Sequence, residues 1–453
     1  MAIAIVLVLL IAGTVMFHFL SPWWFTPIAS NWGSIDDTIS ITFWVTGFVF
    51  VAVNLFMAYA VFRYRHREGA RADYEPENKK LEWWLIGFTT VGVVSMLAPG
   101  LAVWAKFVNV PKEASVFEVV SQQWHWSFRF PGKDGVLGTV NSRFVSDANP
   151  FGINPDDPNG QDDVLVSSSE VHLPINKPVK ALLRSKDVLH DFAVAQIRVK
   201  MDMVPGTVPY IWFTPTRTGK FDILCEELCG MGHFAMRGKF VVEDEAAFQT
   251  WLNGYPTFVQ SMTAAAGDAA AGKALYAVCS SCHGAQGEGN PALHAPKLSG
   301  QGDWYLKRQL KYFKQGVRGT HADDVFGKMM APMAATLQDD AAISNVVAYI
   351  KTLPDSSATA TAHKSSTGDE ESRYVTTCGV CHGSKGQGIQ AMNAPRLAGM
   401  SDWYLATQLK NFKQHIRGAH PDDKYGDQMA LMAAALTDDQ ITNDIVAYIN
   451  TLR

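Results

Sequence analysis

The sequence predicts a multidomain membrane protein with N-terminal transmembrane helices, an all-β sandwich and two small all-α domains. Three observations predict it. Long apolar stretches crowd the first quarter of the chain, short alternating apolar runs follow, and from residue 272 the sequence repeats itself with an offset of 99 residues. A chain of 453 residues is too long for one ordinary domain, so several units are expected.

The apolar stretches run over residues 2–20, 39–62 and 83–108. Each approaches the roughly 20 residues that a helix needs to cross a bilayer. Polar residues within them are mild, such as Asn54, Thr89 and Thr90. The first stretch competes with a secretory signal. It has no Lys or Arg before its apolar core and no small-residue cleavage site, so a retained helix is expected. Arg63, Arg65, Arg67, Arg71, Lys79 and Lys80 fill the loop between the second and third stretches, whereas residues 21–38 carry no Lys or Arg. The positive-inside rule puts the basic loop in the cytoplasm and everything after Val108 outside. Trp23, Trp24, Trp83, Trp84 and Trp104 stand where interfacial anchors belong. Charged residues make up only 18% of the chain and the net charge is -4, with no basic stripe or tail, which argues against a nucleic-acid partner.

Residues 115–120, 124–130, 178–183 and 238–242 read as strands of a sandwich between Gly, Pro and Asp punctuation. Residues 245–252 read as a closing helix and 257–272 as an Ala- and Gly-rich linker. The repeat then carries Cys279 onto Cys378, and Asp303-Trp304-Tyr305-Leu306 onto Asp402-Trp403-Tyr404-Leu405. Spacings such as Trp304, Leu306, Leu310 and Phe313 make each copy helical. Residues 354–372, rich in Ser, Thr, Ala and charge, read as a tether. The expected units are an extra helix (1–20), a two-helix anchor (39–108), a sandwich (109–256) and two helical domains (272–353 and 373–453).

All 6 cysteines lie in three motifs. Cys279-Ser280-Ser281-Cys282-His283 and Cys378-Gly379-Val380-Cys381-His382 each have the form of a covalent c-type haem attachment site. Disulfides would not explain a His directly after the second Cys in both copies. The third motif, Cys225 to Met236, holds two thiols, the imidazole of His233 and the thioether of Met236, a soft donor set of the kind that selects copper. Gly230 and Gly232 allow tight turns between them. One more imidazole is needed from elsewhere, and His190, at the end of an apolar run, is the candidate.

The 225–236 loop, with His190, Lys200, Asp202, Pro205 and Gly206, resembles subunit II of haem-copper cytochrome c oxidases, over residues from about 40 to 250. The resemblance implies a binuclear CuA centre in a cupredoxin-like sandwich. Cys225 and Cys229 would bridge the coppers, His190 and His233 would each bind one, Met236 would be a weak ligand, and Glu227 would give its backbone carbonyl. The Glu227 side chain would reach a magnesium shared with subunit I. Trp124, in Gln123-Trp124-His125-Trp126, would receive electrons, and Glu82 would stand near the mouth of a proton pathway. The chain departs from the family pattern at Asp191, at Ala195 and in the residues after Glu82.

The repeats resemble tandem class I cytochromes c of the dihaem type. That implies two covalently bound haem c groups, with His283 and His382 as iron ligands. In the family the opposite ligand is a Met seven residues before the Leu that opens the last helix, here Leu337 and Leu436, so the resemblance implies Met330 and Met429, with Met333 and Met432 as the runners-up. His294, His321, His415 and His420 read as unmatched across the repeats and as surface residues.

Together these resemblances imply the electron-input subunit of a caa3-type terminal oxidase. Electrons would pass from cytochrome c or another respiratory donor through both haems to CuA, and on to haem a of subunit I, where oxygen is reduced to water with proton pumping. The oxygen-reducing site, with CuB, lies in subunit I, and subunit III is a further partner. The expected location is a bacterial plasma membrane, multi-pass, with the cofactor domains outside. Alternatives are a CuA-containing nitric oxide reductase subunit or a stand-alone membrane-tethered electron shuttle.

Overall fold

The computed structural model describes residues 2–21, 26–71, 74, 76–146, 149–263, 267–355 and 368–452. Three helices open the chain: α1 (Ala2–Leu20), α2 (Gly33–Arg63) and α3 (Lys79–Val108). All three are long and apolar enough to cross a membrane. α2 packs against both of the others. The apolar side chains that point away, such as Phe48, Trp83 and Phe88, are exposed, which suits a lipid surround. Trp23 and Trp24 lie outside the described residues. α2 begins six residues before the expected apolar stretch, because its first turns are polar and lie beside the sandwich.

The sandwich has two five-stranded sheets. One runs β3 (Val164–Val166), β2 (His125–Phe130), β1 (Ser115–Gln122), β5 (Val179–Ser185), β8 (Tyr210–Phe213). The other runs β4 (Glu170–Pro174), β10 (Arg237–Glu243), β9 (Gly219–Leu224), β6 (His190–Ala193), β7 (Lys200–Met203). β1 pairs parallel to β5 with Val119 opposite Leu183, and β10 pairs parallel to β4; the other pairings are antiparallel. In β5 the period-2 pattern buries Val179, Ala181 and Leu183, and between the sheets Phe117, Trp126, Phe128, Phe192, Phe213 and Phe240 are almost fully buried.

The sandwich is clamped to the helices. Trp32, just before α2, is buried against Phe107 and Trp212, and its indole N–H donates to Trp212 O at 2.8 Å. Trp212 in turn donates to Phe107 O at 2.7 Å. Arg198 forks onto Asp36 at 2.6 and 2.9 Å. Helix α4 (Glu245–Leu252), capped by Asp244, closes the sandwich where the sequence places a helix. The stretch read as a linker, 257–272, is instead partly helical. α5 (Phe258–Thr263) buries Phe258 against Ile153 and Leu165, and the next helix already starts at Ala269.

Each repeat is a small helical domain. The first holds α6 (Ala269–His283), α7 (Asp303–Gln315), α8 (Val325–Ala335) and α9 (Asp340–Thr352). The second holds α10 (Glu370–Arg373), a π-helical turn (Tyr374–Cys378), α11 (Gly379–His382), α12 (Asp402–Lys413), α13 (Lys424–Ala434) and α14 (Asp439–Ile449). Their caps repeat as the sequence does: Asp324 accepts from Gly327 N and Asp423 from Gly426 N, both at 3.0 Å. Most of the tether, residues 356–367, lies outside the described residues.

Candidate functional site

β9 ends at Leu224, opposite Ala193 of β6, so Cys225 emerges beside the strand that starts with His190. The loop then folds back on itself. Cys225 and Cys229 bring their sulfurs to 3.7 Å. His190 Nδ1 lies 3.8 Å from Cys225 Sγ, and His233 Nδ1 lies 3.5 Å from Cys229 Sγ. Met236 Sδ is 3.8 Å from Cys229 Sγ, and the Glu227 carbonyl oxygen is 3.3 Å from Cys225 Sγ. All six residues expected from the sequence therefore converge on one thiol pair. His190, Cys229 and Met236 are buried. The close pair shares charge unevenly: a hydrogen bond from Cys229 holds the Cys225 thiol far below its ordinary range, at about 3, and pushes Cys229 up. Two thiolate-capable sulfurs flanked by two imidazoles and a thioether could hold copper, which would displace the shared proton.

Two residues that the sequence reading missed support this centre. Asp187 Oδ1 lies 2.9 Å from His190 Nε2, so the carboxylate fixes the ring with Nδ1 toward the sulfurs. Its other oxygen accepts from Gln123 N at 2.7 Å. Gln123 Nε2 then donates to Cys229 O at 2.7 Å. Asp187 precedes His190 by three residues, a spacing that could have flagged it. Nothing local points to Gln123.

Trp124 is buried beside the loop and donates its indole N–H to Cys229 O at 3.2 Å. Gly232 makes room for it: a Cβ there would stand 2.4 Å from the Trp124 ring. Glu82 lies in the first turn of α3, exposed and far in sequence from this loop, and no described contact ties it to the copper ligands.

In the helical domains, His283 and His382 engage Nδ1 with Pro296 O and Pro395 O, both at 2.7 Å. This leaves Nε2 available for iron, and burial lowers both pKa values, favouring the neutral ring that a ligand needs. A continuous cavity of about 640 Å³ is lined by both Cys pairs, both histidines, Met330 and Met429. Met330 packs on the first domain's core and Met429 on the cluster of Phe412, Ala430 and Ala433. Met333 is exposed, and Met432 turns to the sandwich. Arg308, Arg318 and Arg417 also line the cavity, and their Nε atoms are buried without a partner among the described residues. Orphaned guanidinium donors beside an apolar cavity suit a group with carboxylates, as haem has.

The two helical domains meet about a pseudo-twofold axis. Arg318 and Arg417 each hold the glutamine of their own domain, Gln309 or Gln408, at 2.7 Å and the glutamine of the other at 3.0 and 3.1 Å. The second domain also rests on the sandwich. Gln428 Nε2 donates to Trp124 O at 3.1 Å, Cys381 Sγ lies 3.9 Å from Gln123 O, and the Tyr425 hydroxyl donates to Ser167 O. Among the histidines read as surface residues, His294 stacks on Phe326 at 3.9 Å beside Trp403, at the domain interface. His321 and His420, read as unmatched, are in fact one repeat apart and accept from Asp323 N and Asp422 N in equivalent turns.

Known proteins fit these parts in order. A family described as cytochrome c oxidase subunit II, periplasmic domain, matches residues 115–244. The cytochrome c family matches residues 269–354 and 372–453. Alternative cytochrome c oxidase subunit 2 of Bradyrhizobium diazoefficiens is 62% identical over 57% of this chain and 93% of its own. Cytochrome c4 of Pseudomonas aeruginosa is 34% identical over 42% of this chain and 90% of its own. The crystal structure of reduced recombinant cytochrome c4 from Pseudomonas stutzeri aligns at 26% identity over 42% of this chain and 100% of that one, with a TM-score of 0.33. The chain belongs to the cytochrome c oxidase subunit II family and carries two cytochrome c domains on the same polypeptide.

Proposed function

We propose that this chain is the electron-input subunit of a respiratory terminal oxidase, passing electrons from an external donor through two c haems to a binuclear CuA centre and on to haem a of subunit I. The observation that carries the reading is the thiol pair of Cys225 and Cys229, flanked by His190, His233, Met236 and the Glu227 carbonyl, with the second helical domain resting on the adjacent Trp124 turn. Cys279, Cys282, His283 and Met330 would hold one haem, and Cys378, Cys381, His382 and Met429 the other. The copper pair and the haems supply one-electron redox chemistry. The chain's residues supply orientation and dryness: Asp187 fixes His190, Gln123 and Trp124 fix the Cys229 backbone, and the buried walls keep water from the sulfurs. Oxygen reduction and proton pumping belong to subunit I, with CuB, in a complex that includes subunit III. Glu82 would serve a proton pathway, and the Glu227 side chain a magnesium shared with subunit I. The three helices make the subunit multi-pass, with the cofactor domains on the periplasmic side.

The test is near-infrared absorption and low-temperature EPR on the purified membrane complex, with copper and haem counted on the same sample. A delocalised two-copper, one-electron signal with two c haems per chain, co-purifying with haem a and a third copper, is expected. Two c haems without the two-copper signal would remove the CuA centre. Haem b with non-haem iron would replace oxygen by nitric oxide as the acceptor.

A further inference from the structure

The repeat register carries Lys297 onto Arg396 and Gly300 onto Gly399. Both cations reach one carboxylate. Asp355, just after α9, takes Lys297 Nζ on Oδ1 and Arg396 Nη1 on Oδ2, each at 2.6 Å. Each cation also crosses to the other copy: Lys297 Nζ donates to Gly399 O at 3.4 Å and Arg396 Nη1 to Gly300 O at 3.1 Å. One acidic side chain thus grips the same position of both domains. Gly300 makes room for it: its φ is +76°, and a Cβ there would stand 2.4 Å from Asp355 Oδ1. Lys297 is only 3% exposed, so its amine has little water to turn to if the carboxylate is lost. Burial raises the Asp355 carboxyl, but hydrogen bonds from Lys297 and Arg396 outweigh it and hold the group below its usual range, so it is ionised at neutral pH.

The two gripped residues have a shared neighbour in the chain. Each follows, across one peptide bond, the carbonyl that orients a haem-ligand histidine. Pro296 O lies 2.7 Å from His283 Nδ1, and Pro395 O lies 2.7 Å from His382 Nδ1. We propose that Asp355 is a positioning residue for both histidines and ties the potentials of the two c haems to one another. The proposal rests on the two c haems of the electron-input reading above. A carbonyl on Nδ1 fixes the ring and makes it a stronger donor to iron, which favours the oxidised state. A carboxylate nearby favours that state further, because oxidation adds a positive charge. Since one carboxylate serves both turns, the pair is tuned together rather than one site at a time.

The test is spectroelectrochemical titration of the c haems in the full purified complex, with wild type set against Asp355→Asn, Asp355→Glu and Arg396→Gln. Asp355→Asn keeps the volume and removes the charge. Both c-haem potentials should then rise, each by about a three-fold change in the reduced-to-oxidised ratio, or about 28 mV at about 59 mV per decade. Asp355→Glu keeps the charge and should hold both within about 1.5-fold of wild type. Arg396→Gln, at a partly exposed site, removes one of the two grips. It should lower one potential by about three-fold in the same ratio and leave the other within about 1.5-fold. A contact that only joined the domains would lower the melting temperature and move no potential. Potentials unmoved in Asp355→Asn, or moved at one haem alone, would overturn the proposal, as would a Glu variant that behaves like the Asn one. Should Asp355→Asn fail to load haem, Arg396→Gln decides, and no shift or equal shifts there overturn the proposal. A wild-type complex without two c haems or without the two-copper signal would instead count against the electron-input reading.

Discussion

Replacing Asp187 by Asn should loosen copper without unfolding the chain. The carboxylate makes three described contacts. Oδ1 holds His190 Nε2 at 2.9 Å and accepts from Val188 N at 2.7 Å, while Oδ2 accepts from Gln123 N at 2.7 Å. His190 is fully buried, so its ring has no water to replace a lost partner. An amide keeps the volume but has only one acceptor. Its NH2 group must then face a donor, either the Gln123 N–H or the imidazole N–H. Losing the partner that orients a metal-bound histidine costs about 10–100-fold in metal affinity, or about 1.4–2.7 kcal/mol. Asp187 is partly exposed, so the loss of its charge is screened and the lower half of that range is expected. The assay is a chelator titration of the purified complex, following the near-infrared band and bound copper together. Retention of copper within two-fold of wild type would refute the argument that Asp187 sets the His190 ring. A fall in thermal stability larger than the loss in copper affinity would show a structural role instead.

Three further perturbations test other parts of the architecture. Gly232→Ala places a Cβ 2.4 Å from the Trp124 ring and should cost about 1–3 kcal/mol by overpacking; an unchanged Tm and unchanged tryptophan emission would contradict that. Burial, then Lys186 and Arg308, lower the His125 pKa from 6.5 to about 4, so the unfolded chain binds this proton more readily than the folded one. Its share of stability is complete above pH 6.5 and lost as pH falls toward 4, by about 3 kcal/mol; denaturant midpoints of wild type and His125→Gln at pH 7 and pH 5 should diverge at neutral pH and converge in acid. Trp32→Ala empties a site buried between Phe107 and Trp212 and should cost about 3–5 kcal/mol in the attachment of the sandwich to the helices, read as earlier proteolysis of the sandwich in the purified complex.

What could be read from the sequence was local or repeated. The soft ligands from Cys225 to Met236 lie in one loop, so their convergence needs only tight turns. The paired Cys-x-x-Cys-His motifs stand out because a fixed offset repeats them. His190 was reachable only through the downstream loop, whose donor set calls for one more imidazole, since its partner sulfur lies 35 residues on. Asp187, Gln123 and the docking residues Tyr425 and Gln428 were missed because each acts across a fold contact that no local pattern records. The 257–272 stretch went astray for a related reason. Its composition favours a linker, but Phe258 finds a pocket beside Ile153, and its amide donates to Asp163 O at 2.8 Å. Tertiary burial thus overrode a weak local preference.

The divergence of the two copies follows what each one touches. In the reciprocal Arg–Gln contact between them, the register keeps like opposite like: Gln309 with Gln408, Arg318 with Arg417, and Tyr305 with Tyr404. A pseudo-twofold contact requires this, because each residue must serve both sides. Where they face away, the register breaks. Met329 stands opposite Gln428, and Phe326 opposite Tyr425, so the second domain gained the amide and the hydroxyl that reach Trp124 O and Ser167 O. Arg308 stands opposite Thr407 and lies 4.4 Å from the Tyr425 ring, which itself sits 5.9 Å from His125. The amide and the hydroxyl that reach the sandwich therefore stand on the copy that rests on it.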